Sequence, residues 1–242
     1  MKQGLVRVIE NRPLWSDVQL LAFDAPEIAL SMHPGQFALV RDPSTIDPYL
    51  RRKAWFYQTN RERVTFSLSA CDPLAAQWQS GHTLDLLGPV GRAIEFDSNA
   101  RHILLIGEGT RVAALFPMAQ QAIQQNRSIV LFSRPDSGGD VFPAHLLPPE
   151  IEYHTGGDLP GAELFTWADA IIANGSEPLY SKLKDGIRSA RYRLERGLAQ
   201  VLFDDPIPCG TGACYACAVK SARGVRLACI DGPAFDLLDW GW

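Results

Sequence analysis

The chain has 242 residues, 46% hydrophobic and 21% charged, with a formal net charge of −4 and a pI near 5.7, the composition of a globular protein large enough for one sizeable domain or two small ones. That balance supplies no global basic field to draw in nucleic acid or an anionic membrane. The opening MKQGLVRVIENRPLWSDVQL carries charges and Pro inside any apolar core, and no run approaches the roughly eighteen apolar residues of a bilayer span, so neither a signal peptide nor membrane insertion is expected and a cytoplasmic location is.

In chain order, residues 1–97 carry strand signals: LVRVIE, VQLLAF, QFALVR, RVTFSLS and TLDLLG, separated by Pro, Gly and Asp. Short strands at this spacing predict a small antiparallel β-barrel or sandwich. The texture changes at Arg101. HILLIG is a continuous apolar run ending in Gly, and after GEGTR the residues Val112, Leu115, Phe116 and Ala119 have helical spacing. SIVLFS, ADAIIANG, a helical stretch from Glu177, and AQVLF follow. Strands alternating with helices predict an α/β parallel sheet over 98–204. Residues 205–242 turn Cys- and Gly-rich and are expected to form a small third domain, giving an α+β multi-domain chain.

Four of the five cysteines lie between Cys209 and Cys229, spaced C-x4-C-x2-C-x11-C. The first three match the plant-type 2Fe-2S run, in which one short loop wraps a compact cluster and aims thiolates inward. Gly210 and Gly212 allow the positive φ such wrapping needs, and exposed N–H groups there can face the sulfurs and stabilise their charge. Ala213, Ala216 and Ala218 keep the surroundings small. Zinc is the rival, but zinc ribbons present two C-x2-C knuckles and only Cys214 and Cys217 form one. Disulfides are disfavoured in the reducing compartment expected here. Cys71, far off in the barrel segment, reads as a small core residue.

The run CGTGACYACAVK…RLACIDGPAFDL resembles the C-terminal cluster domain of electron-transfer subunits of two-subunit, NAD-linked dihydroorotate dehydrogenases, in the ferredoxin reductase-like superfamily. PGQFALV and GHTLDLLGPVGRAIEF are similar to that family's barrel segments. The resemblance implies an oxidoreductase subunit that binds FAD on the barrel, exchanges electrons with NAD(H) on the α/β domain, and passes them through a 2Fe-2S cluster held by Cys209, Cys214, Cys217 and Cys229. It also implies a hetero-oligomer with a flavoprotein catalytic subunit and a place in pyrimidine biosynthesis.

Departures from the family pattern are local. Its flavin motif Arg-Pro-x-Ser is here RRKAWF, so Arg52 is retained as the phosphate cation while Lys53 and Trp55 replace Pro and Ser. A Gly-Thr helix start becomes ACDPLAAQW, in which Asp72 is the expected N-cap and Pro73 the first helical residue. A capping carboxylate repels an anion, so flavin binding is expected to be weakened. The glycine loop after the first α/β strand is GEGTR, with Glu108 adding a negative charge and Arg111 a positive one, and Asn174 of NGSEP stands where the family has a thiol. These changes keep a second reading open: a non-enzymatic iron–sulfur carrier or docking protein that has lost flavin or NAD binding. The histidines His33, His82, His102, His145 and His154 show no ligand spacing and read as surface residues. The basic stretch Lys182–Arg196 reads as a solvated helix face, with docking of an acidic partner as its functional alternative.

Overall fold

The computed structural model describes all residues except 48, 61, 70–74, 138, 140, 241 and 242. The chain divides into two compact units: Met1–Ile94 with Asp205–Ala218 and Leu227–Pro233, and Glu95–Asp204 with Val219–Arg226 and Ala234–Trp242. The segment 205–242, expected as a third domain, therefore contributes to both units.

The first unit is built on a closed barrel. Strands β1 (Lys2–Trp15), β2 (Val18–Asp24), β3 (Phe37–Arg41), β4 (Arg52–Thr59), β5 (Arg63–Ser69) and β6 (Thr83–Val90) close in the order β1-β2-β5-β4-β3-β6, each neighbouring pair antiparallel, with the one-turn helix α1 (Pro26–Ala29) between β2 and β3. Period-two alternation decides which side chains fill it. Leu21 and Phe23 of β2, Phe66 and Leu68 of β5, and Leu84 and Leu86 of β6 share one buried cluster with Ala38, Val40 and Phe56. Of the six barrel strands, β4 alone is absent from the sequence reading, and Arg52, Lys53 and Trp55 are strand residues within it. In the rest of the chain the strands Ile151–Thr155, Ala218–Ser221, Gly224–Leu227 and Ala234–Asp236 are absent from that reading too.

The second unit is a six-stranded sheet. After β7 (His102–Glu108) a 3-10 helix (Gly109–Leu115) runs into helix α2 (Phe116–Gln124). There follow β8 (Ser128–Arg134), β9 (Ile151–Thr155), a short helix (Ala162–Trp167), β10 (Ala170–Asn174), helix α3 (Glu177–Arg191) and β11 (Ala199–Leu202). The hairpin β12 (Ala218–Ser221) and β13 (Gly224–Leu227) precedes the last strand, β14 (Ala234–Asp236). The sheet order is β14-β11-β10-β7-β8-β9; β14 is antiparallel and the other five strands are parallel. β7 is apolar on both faces because it is central and covered on both sides. α3 buries Leu179, Leu183 and Ile187, one face at i, i+4 spacing, against Leu104, Val130 and Ile171 of the sheet. The expected helical spacing after GEGTR is present, with Val112, Leu115, Phe116 and Ala119 all buried.

The C-terminal residues complete this sheet. Trp240 packs on Tyr180, Phe203 and Phe235 at centroid distances of 5.3, 6.5 and 6.0 Å, and Asp239 takes a two-pronged bond from Arg196 at 2.7 and 2.9 Å. Arg196, at the end of the basic stretch, is thereby committed to a structural contact. No described helix is long and apolar enough to cross a membrane.

Candidate metal centre

The cysteine loops are seated on the barrel. Gly210 has φ of +70°, and a Cβ there would lie 2.8 Å from Leu39 of β3. A left-handed conformation with that clearance suits only glycine. The backbone N–H of Arg92, just past β6, donates to Gly232 O at 2.6 Å, its guanidinium Nε donates to Ile230 O at 3.2 Å, and Lys53 Nζ donates to Asp205 O at 3.2 Å. Ile207, two residues before Cys209, is buried.

Within this seat the four sulfurs group as two pairs. Cys217 and Cys229, 1% and 2% exposed, have their Sγ atoms 3.4 Å apart, near the roughly 3.8 Å that two thiolates keep on one tetrahedral metal. The backbone ties them as well, since the N–H of Ala228 donates to Cys217 O at 3.0 Å. Cys209 and Cys214 form the second pair: Cys214 donates to the Cys209 sulfur, and Cys214 is exposed. All four are free thiols. Among the described residues no set of three or more His, Cys, Asp or Glu converges as a single-ion site. One tetrahedral ion needs all four ligands on one centre, whereas a two-iron cluster takes two thiolates at each iron. The paired arrangement suits the second.

The electrostatics differ between the pairs. Burial pushes the Cys209 thiol up, but donors from the Thr211 N–H, 3.4 Å from its sulfur, and from Cys214 outweigh it and bring the thiol down to about 6. Burial, then the adjacent Cys217, pushes Cys229 up to about 12, although the Gly212 N–H donates to it and acts in the opposite direction. Backbone donors from Thr211 and Gly212 thus already face sulfur, as expected of glycine-bearing loops that stabilise thiolate and sulfide charge. The donor set and these N–H groups fit a 2Fe-2S cluster. Sequence reasoning had no signal for Thr211, because its contribution is a main-chain N–H.

The residues expected at a flavin are differently placed. Trp55 is 7% exposed, packs edge-on against Phe37 at 5.8 Å, and has Lys53 Nζ 4.7 Å from its ring centroid. It is a wall residue of the barrel. Arg52 is half-buried at the start of β4 and donates to Leu50 O at 3.4 Å. Arg52 and Lys53 are neighbouring cations of β4, and the buried indole of Trp55 supplies packing. Cys71, Asp72 and Pro73 lie outside the described residues.

On the α/β unit, Glu108 and Asn174 end the adjacent strands β7 and β10. Glu108 is 7% exposed; its Oε2 accepts the Ser176 N–H at 2.7 Å, and its Oε1 lies 3.6 Å from Arg134 Nε. Arg111 Nε is 3.4 Å from Asp204 Oδ2, and Asn174 Nδ2 donates to Arg111 O at 3.0 Å. Arg134 and Ser176 were not singled out in the sequence, where nothing indicates that they converge on one carboxylate. Of the histidines, His102 pairs with Asp169 at 3.1 Å and His154 with Glu152 at 2.7 Å, both at the surface.

Residues 206–239 match the family model of the iron–sulfur cluster binding domain of dihydroorotate dehydrogenase B. Over 97% of its length the chain is 24% identical to the dihydroorotate dehydrogenase B (NAD(+)) electron transfer subunit of Geobacillus sp. (strain WCH70), covering 97% of that protein. It is 26% identical to the Shouchella clausii (strain KSM-K16) subunit of the same name, with 97% and 96% covered. Among solved structures, an NADH-dependent reduced ferredoxin-NADP oxidoreductase chain superposes with a TM-score of 0.79 at 20% identity over 99% of this chain and 90% of that one. Phthalate dioxygenase reductase superposes with a TM-score of 0.65 at 14% identity, covering 97% of this chain and 76% of that one. The architecture is that of the ferredoxin reductase-like fold.

Proposed function

We propose that this chain, a divergent relative of the electron transfer subunits of dihydroorotate dehydrogenase B, is itself an electron-transfer subunit of an oxidoreductase, with Cys209, Cys214, Cys217 and Cys229 as the ligands of one 2Fe-2S cluster. The observation that carries this reading is the gathering of four thiols into two pairs on a segment that matches the family's cluster domain. FAD on the barrel and NAD(H) on the α/β unit are the organic cofactors of the same reading, with Arg52 as the flavin-phosphate cation. A flavin takes hydride as an electron pair, and a 2Fe-2S cluster moves electrons singly. This chain's residues hold and tune those groups. Cys217 and Cys229 anchor the buried side, Thr211 and Gly212 direct N–H groups at sulfur, and the exposed Cys214 edge is the side a partner flavoprotein subunit approaches. The partner is a dihydroorotate-oxidising subunit, the assembly a hetero-oligomer, and the compartment the cytoplasm.

The test is anaerobic purification followed by metal and acid-labile sulfide analysis, a visible spectrum before and after reduction, and co-purification with the catalytic subunit. About two irons and two sulfides per chain are expected. Stoichiometric zinc without sulfide would overturn the reading.

A further inference from the structure

The α/β unit carries an anion of its own at the place where open parallel sheets receive nucleotides. From β7 the chain builds outward through β8 and β9, then returns to lay β10 and β11 on the other side of β7. The crevice beyond the carboxyl ends of β7 and β10 is thus the switch point of the sheet, where ligands of such folds bind. Glu108 and Asn174 are the residues at those two ends. Ser176, just past β10, is the N-cap of the fifteen-residue helix α3.

Three observations converge there. First, the Glu108 carboxylate accepts the Ser176 N–H at 2.7 Å, so the positive end of α3 already faces a negative charge. Gly175 leaves room for this approach: a Cβ there would meet Leu179 Cδ2 first, at 2.3 Å, and would crowd Cβ and Oε2 of Glu108 at 3.2 Å. Second, the cations of the crevice are engaged with carboxylates: Arg134 lies 3.6 Å from Glu108, and Arg111 lies 3.4 Å from Asp204 and 4.0 Å from Glu108. Third, Asn174 is fully buried, and its Oδ1 has no hydrogen-bond partner among the described residues, while its Nδ2 is spent on Arg111 O. A buried acceptor without a donor costs free energy unless a ligand supplies one, and a carboxamide N–H is a donor of the right kind.

We infer that Glu108 is a built-in competitor for nicotinamide nucleotide: its carboxylate occupies the anion seat at the N-terminus of α3, and a dinucleotide pyrophosphate binds only by displacing it. This rests on the reading of the α/β unit as the NAD(H)-receiving part of an electron-transfer subunit. As folded, the crevice offers a pyrophosphate a carboxylate where donors are needed. With Glu108 neutralised, the Ser176 N–H and the Arg134 and Arg111 cations turn to the incoming phosphates.

The test is NADH titration of the purified, cluster-containing chain by fluorescence and calorimetry, with inorganic pyrophosphate as a second probe. Wild type is compared with Glu108→Gln, which keeps an acceptor for Ser176 but no charge, and with Glu108→Asp, which keeps the charge on a shorter arm. Glu108→Gln is expected to bind NADH about tenfold more tightly or better, a gain that shrinks as salt rises. Pyrophosphate should bind Glu108→Gln and compete with NADH, and Glu108→Asp should fall between wild type and Glu108→Gln. Iron and sulfide are assayed on the same preparations. Cluster-containing protein that binds NADH equally well, or less well, after Glu108→Gln overturns the competitor role and leaves the electron-transfer reading standing. Zinc in place of iron overturns the electron-transfer reading whatever the affinities. If Glu108→Gln does not fold, the ordering of wild type and Glu108→Asp decides alone, and equal NADH affinity overturns the inference.

Discussion

Cys217 and Cys229, twelve positions apart in the chain, bring their sulfurs to 3.4 Å and are both buried, whereas Cys214, three positions before Cys217, is exposed. The cluster loops therefore have an inner, packed side and an outer, open one. Cys214, the outer of the four proposed ligands, can be replaced without cutting into the core. Cys214→Ser is expected to lose most of its iron and to make the loops within 205–233 sensitive to protease, because a segment this short draws much of its order from ligation. Far-ultraviolet circular dichroism should show the barrel and sheet retained. Loops as resistant as those of wild type would contradict the dependence on metal.

The two pairs differ in acidity. In metal-free protein at pH 7 the Cys209 thiol, brought down to about 6 by its donors, is about nine-tenths thiolate, while Cys229, pushed up to about 12, is almost wholly protonated. Iodoacetamide should label Cys209 far faster than Cys229, with a midpoint near pH 6 for Cys209, as peptide mass mapping over a pH series would reveal. Equal labelling of both thiols would show that the donors around Cys209 are not formed without metal.

Gly210→Ala places a methyl group against Leu39 on a backbone at φ +70°. A destabilisation of about 1–2 kcal/mol is expected, with faster loss of iron to a chelator. Denaturant titration and chelator kinetics measure the two effects, and an unchanged rate of iron loss would show that Gly210 shapes the barrel seat alone.

Trp55 is held by Phe37 and by Lys53. Trp55→Ser should cost roughly 3–5 kcal/mol of barrel stability, as for other truncated core aromatics, and Trp55→Phe much less. The same preparations, passed through gel filtration, report retained FAD. Less than one equivalent in wild type is expected from the altered flavin motif, and no gain from Trp55→Ser is expected, because the indole is part of the wall.

Asp169 accepts the N–H groups of Arg101 and His102 at 2.8 and 2.9 Å, and the Arg101 bond above all holds its carboxyl below the ordinary value of 3.8. A lowered carboxyl stabilises the fold above its unfolded pKa, and that contribution is lost as pH falls through the folded value. Asp169→Asn should therefore cost about 1 kcal/mol at pH 7, discounted for a side chain 41% exposed. The gap should begin to narrow as pH falls below about 4 and close only below the lowered folded value, where both proteins carry a neutral side chain. Thermal unfolding at pH 7 and pH 3 checks the sign.

Much of this was legible in the sequence because the signals were local. Alternation in RVTFSLS, and the apolar runs of VQLLAF and HILLIG, reported strands directly. The cysteine spacing marked the loops. β4 was overlooked since RRKAWFYQT carries charge, aromatic and amide in no clean alternation, and a bulge between Phe56 and Gln58 interrupts its pairing. The partners of Glu108 were invisible for a different reason. Ser176 meets it through a backbone N–H, and Arg134 through the parallel pairing of β7 with β8, a register no composition encodes.

The barrel unit is discontinuous, with residues 205–218 and 227–233 returning to it after the whole run 95–204. On a ribosome, which releases the N-terminal part first, the six strands emerge complete while the loops that Gly210 and Arg92 fasten to them are still unmade. Those contacts have high sequence separation, which makes them slow to form. Maturation is thus ordered by topology: the strands that seat the cysteine loops are made more than a hundred residues before the thiols that dock on them.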